Sequence, residues 1–107
     1  MGIVYLLGVY DKENTYKIGV TRGKIEKRIK QLQTGNGGEI YLVDYYATKY
    51  PFFIEHFLHM QFFPNQKIGE WFGLAEEDIL KFKDLCVMAE NNAKALEDNP
   101  FATKILR

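Results

Sequence analysis

Gly2-Ile3-Val4-Tyr5-Leu6-Leu7-Gly8-Val9-Tyr10, then Asp11-Lys12-Glu13-Asn14, then Thr15-Tyr16-Lys17-Ile18-Gly19-Val20, is the stretch that sets the architecture. Its first part is β-branched and aromatic without a polar interruption, which predicts a buried strand. Four polar residues then turn the chain, and residues 15–20 return as the antiparallel partner. Register decides what this hairpin can do. A four-residue loop pairing residue 10 with residue 15 would place Tyr5 and Lys17 on opposite faces of the sheet. An odd-length connection or a bulge brings them to one face, and a shared site requires one of these.

Outward from the hairpin, Thr21 is the expected N-cap of a helix over about 23–34. There Ile25, Ile29 and Leu32 recur at i, i+4 and i+7, a core-facing stripe. Thr34-Gly35-Asn36-Gly37-Gly38 ends it, with Gly35 the expected left-handed cap and a loop that is mobile or closely approached. Residues 39–47 read as a third strand. Pro51 suits a first helical position, and a helix follows to Phe63, closed by Pro64. Trp71 and Phe72 read as a buried anchor that closes the core. Residues 75–96 read as one long amphipathic helix, with Ile79, Phe82, Leu85, Cys86 and Ala89 as its buried stripe. The tail from Asn99 frays or forms a short helix. The fold class is α+β: a three-stranded antiparallel sheet flanked by helices, with a long C-terminal helix.

The 107 residues make one domain, 1–107, with a motif core over 2–74 and a helical extension over 75–107. Fourteen basic residues balance fourteen acidic ones. A zero net charge argues against a generic polyanion binder, so distribution carries the information. Between Lys17 and Lys30 there are six basic residues and one acid, Glu26, which predicts a cationic face on a neutral body. The lone Cys86 forms no internal disulfide and reads as a small core residue. No apolar run reaches the roughly 18 residues of a membrane span. No leader segment is visible, which makes the cytoplasm, of a bacterial or phage-infected cell, the expected compartment.

Gly-Ile-Val-Tyr, Tyr-Lys-Ile-Gly-Val-Thr, an arginine nine residues past that glycine and Glu-x-x-x-His on an aromatic helix together resemble the GIY-YIG nuclease superfamily. The likeness is closest to a small phage-type branch with a Lys-Ile-Gly second motif and a later Gly-Glu-Trp-Phe, here Gly69-Glu70-Trp71-Phe72. It runs from about residue 2 to about residue 74. The resemblance implies a metal-dependent endonuclease cutting DNA, with RNA left open. It places the first tyrosine on Tyr5, the second motif's tyrosine position on Lys17, the catalytic arginine on Arg28 and the metal-binding glutamate on Glu55. Tyr16, Gly19, His59 and Glu70 are the expected supporting residues. A histidine that many members carry one turn past the arginine is replaced by Leu32. A late asparagine of the family has no counterpart, although Glu70 falls about where it would stand.

The residue chemistry agrees with that reading. Phosphodiester hydrolysis needs an activated water and positive charge on the phosphate oxygens. A single well-placed carboxylate, Glu55, implies one hard ion, Mg²⁺ or Mn²⁺. Arg28 borders the buried stripe of its helix and can clamp a phosphate oxygen. Tyr5 is the candidate for activating water. Ionising a tyrosine at pH 7 costs about 4 kcal/mol, and Lys17 is the expected source of relief. Arg22, Lys24, Lys27, Lys30 and Asn36 would track the phosphate backbone without reading sequence. A homodimer or a separate targeting partner is expected. The alternative is an inactive nucleic-acid-binding or protein-interaction module on the same fold.

Overall fold

The structure, a computed structural model, describes residues 1–97, so the tail expected from Asn99 lies outside the described residues. Strand β1 (Gly2–Val9) is the axis of the molecule. It pairs antiparallel with β2 (Lys12–Thr21) on one side and with β3 (Ile40–Thr48) on the other. Because both faces of β1 are covered, almost every residue of it is buried, which accounts for its unbroken apolar run.

The sheet has five strands rather than the expected three, in the order β3-β1-β2-β5-β4. The added pair is a small hairpin, β4 (Gln66–Ile68) and β5 (Trp71–Gly73), docked on the outer edge of β2. Three-residue strands are too short to show an alternating pattern, so the sequence presents them only as a loop and an anchor. Gly69, at φ +55°, makes the turn between them.

Helix α1 (Ile25–Thr34) covers one face of the sheet, and its Ile25, Ile29 and Leu32 pack over Tyr5, Leu7 and Ile40. Helix α2 (Pro51–Gln61) and helix α4 (Phe82–Glu97) cover the other, where Ile54, Leu58, Phe82, Cys86 and Ala89 meet Val4, Leu6, Ile18 and Phe72. Pro51 is the first helical residue of α2, as expected, and a single 3-10 turn, Phe63–Asn65, follows it.

Three local expectations are corrected. Lys24, not Thr21, is the N-cap of α1; Thr21 ends β2 and its hydroxyl instead accepts the Gly23 N–H at 3.2 Å. Gly35 sits at φ −97°, outside the left-handed region. The long helix is two, α3 (Glu76–Leu80) and α4, because the Lys81 N–H bonds three residues back to the Asp78 carbonyl and tightens the turn. Phe82 keeps the buried face across that break, so the apolar periodicity runs on and hides it. No helix among the described residues is long and apolar enough to cross a membrane.

Candidate functional site

The hairpin register carries the predicted irregularity. Tyr5 pairs with Gly19 and Leu7 with Lys17, but Val9 pairs with Lys12, so the ladder shifts between Gly8 and Val9. The surplus residues of β2 bulge out, and Asn14 takes a left-handed conformation there, φ 57°. Directly paired residues share a face, and so do residues two apart. Tyr5 and Lys17 therefore lie on the same side of the sheet. Tyr16 pairs with Gly8 and Phe72 and belongs to the opposite face, against the main core.

Gly19 is needed opposite Tyr5 because the phenol ring lies across it. A Cβ built on Gly19 would stand 2.6 Å from Tyr5 Cζ. The ring is fully buried, and its hydroxyl accepts a hydrogen bond from Arg28 Nε at 3.3 Å. Burial pushes the Tyr5 phenol above its ordinary range, and the adjacent Arg28 only partly offsets this. The cation that relieves Tyr5 is therefore Arg28 rather than the expected Lys17. The Lys17 ammonium pairs instead with Glu70, 3.0 Å away, and stands 5.3 Å from the centroid of the Trp71 ring.

On the other side of β2, the ladder to β5 covers only Thr15–Lys17. Past Lys17 the Ile18 N–H bonds to the Glu70 carbonyl, and His59 Nε2 donates to the Ile18 carbonyl at 2.9 Å. His59 of helix α2 thus caps the β2 edge where the ladder to β5 ends. Glu55, one turn before His59, reaches the same place. One ligand atom from each of Glu55, His59 and Glu70 lies within 4.8 Å of the others, all three residues half-buried. Burial, the nearby Glu70 charge and a hydrogen bond with Glu70 push the Glu55 carboxyl up to about 7, against a smaller opposing pull from Lys17. At neutral pH the Glu55 carboxyl therefore carries its proton part of the time.

This donor set suits a divalent cation. Two carboxylates supply hard oxygen ligands. His59 adds an imidazole nitrogen, and its ring is oriented by the Nε2–H bond to the Ile18 carbonyl. Glu70 and His59, expected as supporting residues, both reach Glu55, so the possible metal group offers three donors where one carboxylate ligand was expected. In the sequence only its position points to Glu70. Only the turn at Gly69 brings it to the group.

The remaining expected residues divide. Lys24, Lys27 and Lys30 face solvent on α1 and Arg28 borders the stripe, as the periodicity implies. The Arg22 guanidinium stands 5.2 Å from the Phe52 ring centroid. Asn36 Nδ2 donates to the Gly38 carbonyl at 2.8 Å, and Gln33 bonds both Gly38 and Ile40, so the glycine loop is pinned and closely approached. Phe72 closes the core, but Trp71 does not share that role. It is half-buried on the Lys17 face, because neighbours in a strand point to opposite sides. Burial pushes the Cys86 thiol up to about 12, consistent with an inert core residue.

A three-layer α+β body with a phenol–guanidinium pair on one sheet face and a Glu/His/Glu group at the adjoining edge is the class of protein that fold and site define. The chain belongs to the T5orf172 domain family, a phage-type family related to the GIY-YIG nucleases, which matches it over residues 2–87. No curated protein matches the chain, and no solved structure does.

Proposed function

We propose that this chain is a metal-dependent endonuclease that hydrolyses phosphodiester bonds in DNA, with RNA as the alternative polymer. The observation that carries the reading is the convergence, around one end of β2, of the Tyr5–Arg28 pair with the Glu55/His59/Glu70 group. The Glu55 and Glu70 charges act on Tyr5, and the Glu70 charge acts on Arg28, so the two halves form one electrostatic unit.

Glu55, with Glu70 and His59, would hold Mg²⁺ or Mn²⁺; the imidazole favours Mn²⁺. A bound ion would polarise a phosphate oxygen and lower the pKa of a water. Arg28 clamps a non-bridging oxygen and stays charged throughout. The Tyr5 phenol, protonated at neutral pH and fixed by Arg28, orients the attacking water. Lys17 neutralises Glu70 and adds positive charge beside the phosphate. Lys24, Lys27 and Lys30 hold the polymer through its backbone. A homodimer through the exposed Leu80, Val87 and Met88, or a separate targeting partner, would supply the second cut or the address.

Supercoiled plasmid incubated with Mg²⁺ or Mn²⁺ is expected to be nicked by the wild-type chain. Glu55→Ala and Arg28→Ala are each expected to lower the rate by at least about a hundredfold, the scale of losing one transition-state contact. Cleavage that survives both changes would sink the site. The closed Lys17–Glu70 pair favours a second reading, an inactive module that only binds nucleic acid or protein. Binding of DNA without cleavage under any divalent ion would support it.

A further inference from the structure

Two hollows adjoin one another beside the site. One, about 270 Å³, is lined in part by Lys17, Asn36 and Trp71. The other, about 280 Å³, shares Asn36 and Trp71 and adds Lys12, Lys67 and Ile68. Together they form a groove that leaves the Lys17–Glu70 pair and runs between the glycine loop after α1 and the β4–β5 hairpin. Three lysines line it, and none of the described residues lining either hollow is acidic. With Lys17 paired to Glu70, Lys12 and Lys67 leave the groove a local positive excess in a chain whose net charge is zero.

With the nuclease reading above as its premise, we infer that this groove receives an unpaired nucleic-acid strand, with a base stacked on Trp71 and the phosphates drawn along Lys12, Lys17 and Lys67. The charge fits a polyanion. The ring decides which kind. A duplex buries the faces of its bases and offers only their edges, whereas a half-exposed tryptophan beside cations takes bases that are already exposed. The hairpin tip supplies a further reason. Ile68 is 76% exposed at the mouth of the second hollow, next to the Gly69 turn. An apolar side chain there costs solubility in a free protein, but it can wedge between bases where a strand is parted from its partner. The preferred substrate is then a junction of duplex and single strand, or a flap, rather than continuous duplex.

Trp71 is the only tryptophan in the chain, so its fluorescence reports directly on the groove. Binding is measured in the Glu55→Gln protein without divalent metal, which separates it from cleavage. Short oligothymidylate is expected to quench Trp71 and to bind at least about tenfold more tightly than a duplex of equal length, the effect of one added stack. Oligouridylate in parallel tells DNA from RNA. By anisotropy of a labelled strand, Trp71→Leu should weaken single-strand binding by roughly tenfold to a hundredfold, with Trp71→Phe retaining most of the affinity. Lys67→Gln should reduce the salt dependence by about one phosphate contact. Because Lys67 is exposed, that variant keeps the test alive should Trp71→Leu fail to fold. Equal affinity for duplex and single strand, or unchanged single-strand binding by a folded Trp71→Leu, overturns the groove. Cleavage by wild type alongside either result leaves the nuclease reading standing. Trp71-dependent binding with no cleavage under Mg²⁺ or Mn²⁺ removes the nuclease reading and keeps the groove.

Discussion

Gly19 and Tyr5 form the tightest steric pair in the site, and the consequence is specific. A methyl group at Gly19 would fall well inside contact distance of the phenol ring, which is fully buried and has no room to retreat. Gly19→Ala is expected to cost about 1–3 kcal/mol of stability, as overpacking does. It should lower cleavage much more, by on the order of a hundredfold, because a displacement of about 1 Å at a positioned group has that effect. Thermal melts alongside plasmid nicking separate the two. Glu55 carries the second residue-scale prediction. Its carboxyl is held at about 7, above the ordinary 4.5, so the folded chain binds this proton more tightly than the unfolded chain does. Its contribution to stability is therefore full below pH 4.5 and is lost as pH rises through 7. The metal-free protein should melt at a lower temperature at pH 8 than at pH 5.5, and Glu55→Gln should flatten that slope. Mn²⁺ binding followed by calorimetry should release a proton at pH 6 and bind more weakly there than at pH 8.

Among the elements, the β4–β5 hairpin does the most for the site. Its turn sends Glu70 toward Glu55 and leaves Ile68 outside, and Gly69 makes that turn in the left-handed region. Gly69→Ala places a side chain where L-residues are strained, at a cost of about 1 kcal/mol or more. The expected result is weaker Mn²⁺ binding with a melting temperature lowered by roughly 4–8 °C, the shift that about 1 kcal/mol gives in a domain of this size. Unchanged Mn²⁺ affinity would remove Glu70 from the ligand set. The β1–β2 hairpin shows the same dependence on local geometry. Its bulge is what places Lys17 on the Tyr5 face, as the chemistry required.

For the whole molecule, Glu90 fastens the C-terminal helix to the sheet. Its carboxylate accepts from the Tyr46 hydroxyl at 2.9 Å and the Thr48 hydroxyl at 2.7 Å, across more than 40 residues of chain. Burial raises this carboxyl, but the two hydroxyls and Lys94 together bring it below its usual value. A depressed carboxylate stabilises the fold above its unfolded pKa of about 4.5, and that contribution fades as pH falls through the folded value. Glu90→Gln should therefore destabilise at pH 7 by about 1–2 kcal/mol, a hydrogen-bonded charge being worth that much. The difference from wild type should shrink below pH 4, as denaturant titrations at the two pH values would show.

What the sequence determined by itself was the central hairpin, the two-sided packing around it and the residues facing each way. Those follow from short-range periodicity: an unbroken apolar strand, a three-and-four spacing on α1, and Arg28 at the border of that stripe. The resemblance in the motifs points to Tyr5, Arg28 and Glu55. Tertiary structure alone decided the partners. That Arg28 rather than Lys17 meets Tyr5, that Glu70 joins Glu55 and His59, and that Trp71 leaves the core for the Lys17 face all depend on contacts between residues distant in the chain. The β4–β5 hairpin that arranges two of these is three residues long on each side. Strands that short are specified by the edge they dock on, not by any pattern of their own.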